Sequence, residues 1–264
     1  MARTLRSATR AAFESASSKY DEDGTPLPVD RATLATSSPT LILTSGIKLT
    51  PPAQVTLPAL DAEETRILRR KQQRLRLSTQ STTRLASRYG AHITNSLHAT
   101  YIFAQHEAGT AVCVDPRGWL VTCAHCFGES EAEWRAHRTK WLVADSGVAV
   151  QAECRAWDVR RDLALARIIG VEGATVPSTF AFVSLPALED RISDPMMFEG
   201  TSIVCIGQPG ADDLESEKPR KTDYALLEIS EGELRGIISG ADPQDNSEIG
   251  TLKHDAWTTS FVVG

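Results

Sequence analysis

The chain has 264 residues, 41% hydrophobic and 23% charged, with a formal net charge of -6. That length and apolar content supply one or two buried cores beside a polar extension. The acidic balance excludes a general preference for nucleic acid or anionic membrane, and no apolar run reaches the ~18 residues of a membrane-spanning helix.

Met1 to Ser18 carries Arg3, Arg6 and Arg10 at helical spacing, with many Ser and Ala and no acid before Glu14. It lacks the apolar central region of a secretory signal. A solvated tail is expected, with a mitochondrial transit peptide as the alternative. Residues 19–60, rich in Pro, Ser and Thr, show no sustained period, so 1–60 is expected to be a disordered polar extension.

Asp61 followed by Glu64 predicts a capped helix start, and good helix formers continue from Glu63 to about Arg76. Arg66, Arg69, Arg70, Lys71, Arg74 and Arg76 make this segment, 61–90, a basic helix. A nucleic-acid or acidic-partner contact competes with a solvated helix resting on the domain through Ile67, Leu68 and Leu75. The second is preferred, because no wider basic face or aromatic platform accompanies the helix.

From His98 the pattern changes to short apolar segments between turns. His98–Ala104, Gly109–Val114, Gly118–Thr122, Trp141–Ala144, Val148–Ala156 and Leu163–Ile168 are candidate strands, and Glu129–Lys140 a helical turn or loop. Ile169–Thr179, with two glycines and Pro177, reads as a crossing. A second set follows at Phe182–Leu185, Thr201–Gly207, Tyr224–Ser230, Glu233–Ser239 and Thr251–Trp257, with a stub at Ser260–Val263.

The stretch from Gly109 to Gly128 is the most informative. A strand breaks at Asp115-Pro116-Arg117-Gly118, a turn-forming run, and resumes as Trp119–Thr122 before reaching Ala124-His125. An imidazole at the end of a rigid strand is well placed to act as a base. Thr122-Cys123-Ala124-His125-Cys126, Arg161-Asp162-Leu163-Ala164-Leu165 and Ile206-Gly207-Gln208-Pro209 resemble, in order, the histidine motif, the aspartate motif and a second-barrel strand and turn of the trypsin-like (chymotrypsin-fold) serine proteases. The resemblance covers about His98 to the C-terminus. It implies an all-β fold of two antiparallel Greek-key barrels across 91–264, the first about 98–168 and the second, incomplete one about 180–264.

The same resemblance makes His125 the general base and Asp162 the carboxylate that orients it, with Asp158 as the fallback acid. The family's Gly-x-Ser-Gly-Gly nucleophile loop is absent. Leu252 to Thr258 resembles the approach to it, but Thr259-Ser260-Phe261 follows, and Ser260 lacks the glycines that let two backbone N–H groups converge on an oxyanion. The nucleophile is therefore not identified. The expectation is a serine-endopeptidase relative cut short or degenerate, inactive as written, with an unpaired edge in its second barrel and marginal stability. A polypeptide would be the substrate of a complete form. A non-enzymatic pseudoprotease binding module is the alternative.

Cys113, Cys123, Cys126, Cys154 and Cys205 are odd in number, and the family's usual partner position for Cys126, near Gly109 or Thr110, holds no cysteine. A reduced intracellular, cytoplasmic protein is expected. Cys123-Ala124-His125-Cys126 also reads as half of a zinc site or a redox pair. A structural zinc site needs four converging ligands and no second paired cluster exists, so neither metal nor cofactor is expected.

Overall fold

A computed structural model describes residues 46–52, 57–104, 109–185, 199–209, 225–237 and 252–256, all within one compact unit, Thr40–Gly264. The N-terminal tail with its targeting alternative, and Ser260 with the stub around it, lie outside these residues. Along the chain come β1 (Lys48–Thr50), α1 (Ala62–Ala86), α2 (Ala91–His98), β2 (Thr100–Phe103), β3 (Thr110–Asp115), β4 (Trp119–Thr122), α3 (Glu131–Ala136), β5 (Thr139–Ala144), β6 (Ala149–Asp158) and β7 (Leu163–Glu172). Then follow β8 (Ser202–Gly207), β9 (Glu228–Ile237) and β10 (Leu252–His254). The molecule is mostly β behind a helical N-terminal region.

Six strands close into an antiparallel barrel. β3 pairs with β2 and β4, β4 passes over β5 and β6 in sequence to pair with β7, and β6 and β5 lead back to β2. The β2–β5 pairing, in which the chain returns after three hairpin-linked strands to lie beside the first of them, makes the connection a Greek key. β6 and β7 are ten residues each, and register shifts at Gln151/Ala152 and Cys154/Ala156 let them bend around the closure. Ala111, Cys113, Ala152, Cys154, Ala164 and Ala166 fill the interior with Leu120, Leu142 and Ile168, because a closed barrel of six strands leaves little room between its walls. Phe103 and Phe127 meet edge to face at 5.9 Å within it.

β2 and β5 are buried on both faces. Tyr101, Phe103 and Leu142 point into the barrel, while Ile102, Trp141 and Val143 belong to a second cluster with Leu68 and Leu75 of α1 and Leu97 of α2. This explains why TYIF and WLVA read as unbroken apolar runs and not as alternating strands. The Trp141 indole donates to Pro58 O at 2.9 Å, fixing the segment that leads into α1.

α1 begins with the expected capping box: Glu64 N donates to Asp61 Oδ1 at 2.7 Å and Asp61 N to Glu64 Oε2 at 2.9 Å. It runs ten residues past Arg76 through a Ser/Thr-rich stretch of poor propensity. Tertiary contact carries it on, with Thr79 Oγ1 donating to Asp145 O at 2.8 Å and Ala86 buried. Of the basic run, Lys71 is buried and donates to Phe103 O at 2.7 Å, Arg69 pairs with the buried Glu172, and Arg66 pairs with Glu63. Gln72 completes the Glu172 site at 2.7 Å. Leu68 and Leu75 are buried as expected, and Ile67 is half-buried.

Several expectations need correction. The strand expected from His98 starts at Thr100, because residues 91–98 form α2 and bury Leu97. β7 continues to Glu172 through Gly170, where the crossing was expected; β1 pairs with it in parallel, Lys48 opposite Gly170. Phe182–Leu185 is not a strand. It lies across the first barrel, where Val183 N donates to Cys113 O at 2.9 Å and Asn95 Nδ2 to Phe182 O at 2.7 Å. The second unit is represented among the described residues by a three-stranded antiparallel sheet in the order β10-β9-β8. β9 is one continuous strand across Gly232, where two were expected. A Cβ at Gly232 would stand 2.1 Å from Ala256 N, so this glycine marks a close crossing of backbones and not a break.

Truncating Leu75 to Ala is expected to cost ~2–5 kcal/mol of stability in urea unfolding, whereas Leu77→Ala, at 80% exposed, stays within ~0.5 kcal/mol. Equal losses would show that α1 is not docked through the Leu68/Leu75 face. Gly232→Ala should raise hydrogen exchange at the Asp255 amide, which donates to Glu233 O, by ~10-fold or more through overpacking of ~1–3 kcal/mol. Unchanged exchange there would remove the close-crossing explanation.

Candidate functional site

The β4–β7 register sets Thr122 opposite Ala164. The residues just beyond β4 and just before β7 are therefore neighbours at one rim of the barrel. After β4 the chain makes a short 3-10 turn, Ala124–Cys126, that holds His125 at the surface while Ala124 is buried and Cys126 and Phe127 insert into the barrel core. Phe127 N donates to Ala124 O at 2.9 Å and Gly128 N to His125 O at 3.2 Å. The turn is thus pinned on its apolar side and open on its polar side.

Asp162 reaches the same place from the other strand. Its φ of 48° lies in the left-handed region, which Asp tolerates better than most side chains. The turn before it is built by Asp158, whose Oδ1 accepts from Arg160 N at 3.1 Å and Arg161 N at 3.2 Å and whose Oδ2 accepts from Arg161 Nη1 at 2.6 Å. Arg161 beside it also holds the Asp158 carboxyl below the usual carboxylate range. Asp158 is therefore a turn former, and the fallback reading of it as the acid partner is set aside by these contacts.

The two residues singled out by motif meet. His125 N donates to Asp162 Oδ1 at 3.0 Å, and the ring Nδ1 lies 2.9 Å from Oδ1 and 2.8 Å from Oδ2. The carboxylate holds both the backbone and the ring of the histidine, so position and orientation are fixed by one group. A carboxylate at Nδ1 selects the tautomer with its proton there and leaves Nε2 as a lone-pair acceptor. The side chains are 42% and 20% exposed, which keeps the imidazole accessible to a reactant.

Two neighbours frame the pair: Trp157, which the sequence reading missed, and Cys123, which it grouped with Cys126 and not with Asp162. The Trp157 indole N–H donates to both Ala124 O and Gly128 O, each at 3.1 Å, and so clamps the two ends of the histidine turn. Trp134 of α3 stacks on it at 5.9 Å with 11° between planes, and the Arg138 guanidinium lies 5.2 Å from the Trp134 ring centre. Nothing in the spacing of Trp157 ties it to His125; only the closure of the barrel does. The second neighbour is Cys123, whose sulfur groups with His125 and Asp162, their ligand atoms all within 4.8 Å of one another.

All five cysteines are free. Burial, reinforced by the Asp162 charge, pushes the Cys123 thiol up to about 11, and burial with the neighbouring Cys123 pushes Cys126 up to about 12. Thiols so placed lack the thiolate character of a redox pair. Cys126, 5% exposed, belongs to the barrel core.

No helix among the described residues is long and apolar enough to cross a membrane. No curated protein matches the sequence. Among solved structures the chain is similar to one described as an HtrA-type protease, AlgW, with a decapeptide, with a TM-score of 0.37 and 15% identity. The match covers 56% of this chain and 35% of that one, so the chain spans about a third of that protease. A family model for the trypsin-like peptidase domain matches residues 109–264, more than half of the chain and all of the histidine and aspartate motifs. The chain belongs to the trypsin-like serine protease family.

Proposed function

We propose that this is a serine-endopeptidase-type domain in which His125 is the general base and Asp162 the carboxylate that orients it. The observation that carries the reading is the grip of one carboxylate on both the amide and the ring Nδ1 of His125. In peptide-bond hydrolysis of this type the base takes a proton from a serine hydroxyl as that oxygen attacks the carbonyl, then returns it to the leaving amine. Asp162 contributes twice. It presents Nε2 as the acceptor, and its negative charge stabilises the imidazolium that forms. Trp157 holds the turn so that neither role depends on a mobile loop.

The substrate class in this reading is a polypeptide, and the nucleophile is the component for which no motif is identified. The sequence contains no Gly-x-Ser-Gly, and Ser260 stands between Thr259 and Phe261. We therefore propose that the chain as written does not hydrolyse peptide bonds. A pseudoprotease that uses the barrel for binding is the alternative, and the same half-site fits it.

In 15N NMR of the imidazoles at neutral pH, His125 is expected as the Nδ1–H tautomer, and Asp162→Asn should shift it to a mixture with Nε2–H. An unaltered tautomer in that variant would remove Asp162 from the orienting role. A serine-directed fluorophosphonate is expected to leave the chain unlabelled. Stoichiometric labelling that disappears in His125→Ala would show a working nucleophile and overturn the claim of inactivity.

A further inference from the structure

The residue before Ala124-His125 is a cysteine, and its placement gives the histidine turn a second chemistry. Cys123 leaves β4 one residue after Thr122, is partly exposed, and its sulfur stands beside the Asp162 carboxylate. The atoms offered by Cys123, His125 and Asp162 lie within 4.8 Å of one another. Zinc bonds of ~2.0–2.3 Å at tetrahedral angles require ligand atoms about 3.3–3.8 Å apart. To reach that spacing the 2.8 Å Nδ1–Oδ2 contact opens and the sulfur closes in, side-chain shifts of ~1 Å.

We propose that Cys123, His125 and Asp162 form a three-ligand, solvent-open site for a thiophilic divalent ion such as zinc, and that its occupation disables His125 as a base. Sulfur, nitrogen and oxygen donors together favour zinc over magnesium or calcium, which take oxygen alone. Charge balance agrees, because one thiolate and one carboxylate neutralise a doubly charged cation.

Binding releases one proton, from the Cys123 sulfur, to solvent. The imidazole stays neutral. Its Nδ1 becomes a metal ligand and its proton moves through solvent to Nε2, the nitrogen that must accept a proton in the proposed reaction. The fourth position is left to water, as in open zinc sites. This is not the Cys123/His125/Cys126 site that the C-x-x-C spacing suggests, since Cys126 is 5% exposed and packed in the barrel core.

The test is cobalt(II) added to the reduced, metal-stripped 264-residue chain. A thiolate-to-cobalt charge-transfer band saturating at one equivalent and displaced by zinc is expected. Cys126→Ala should retain it, Asp162→Asn should weaken binding by ~10-fold or more, and Cys123→Ala should abolish it with its unfolding curve intact. No band, or a band kept by Cys123→Ala and lost by Cys126→Ala, would overturn the proposal. Should Cys123→Ala fail to fold, zinc added to the unaltered chain must switch the His125 imidazole from Nδ1–H to Nε2–H in 15N NMR; zinc without that switch overturns it equally. The tautomer of the metal-free chain tests the base assignment separately, so failure of one reading is distinguishable from failure of the other.

Discussion

The antiparallel register that sets Thr122 of β4 against Ala164 of β7 is the constraint on which the rest depends. It brings a turn that leaves one strand and an aspartate that enters the other to the same rim, without any long-range loop having to be ordered. Because Asp162 binds the His125 amide as well as its ring, the pair is rigid in translation and in rotation. Preorganisation of this sort costs no reorganisation at the moment a ligand or reactant meets the pair.

Much of the barrel was legible because its strands obey simple rules. Alternation in Ala111 and Cys113, Leu120 and Thr122, and Ala164 to Ile168 reports one buried face, and the turn chemistry of Asp115 to Gly118 reports the hairpin. His125 and Asp162 were legible through their motifs. Failures occurred where tertiary contact overrides local preference. The second half of α1 is composed of poor helix formers yet is held against the Asp145 turn, and three-residue β1 has no pattern of its own. Gly232 looks like punctuation until the backbone of Ala256 is seen beside it.

The site was legible only in part, for a related reason. A motif reports residues of fixed spacing along the chain, and both His125 and Asp162 sit in one. Trp157 contributes through the curvature of β6, and Cys123 through the left-handed turn at Asp162 that folds a carboxylate back towards it. Neither geometry is encoded as a spacing. Cys123-Ala124-His125-Cys126 invites pairing of its two sulfurs, but the 3-10 turn sends Cys126 inward and leaves Cys123 with the acid.

The apolar layer beneath α1 and α2 has members on both sheets: Ile102, Trp141 and Val143 from the barrel and Ile229 from the second sheet, with Leu227 just before β9 and with Val204 and Ile206 packed against them. A shared lining of this kind makes the helical region a common roof over two walls. Neither wall can swing away without wetting the underside of the roof, so displacing either sheet costs the burial of the layer they share.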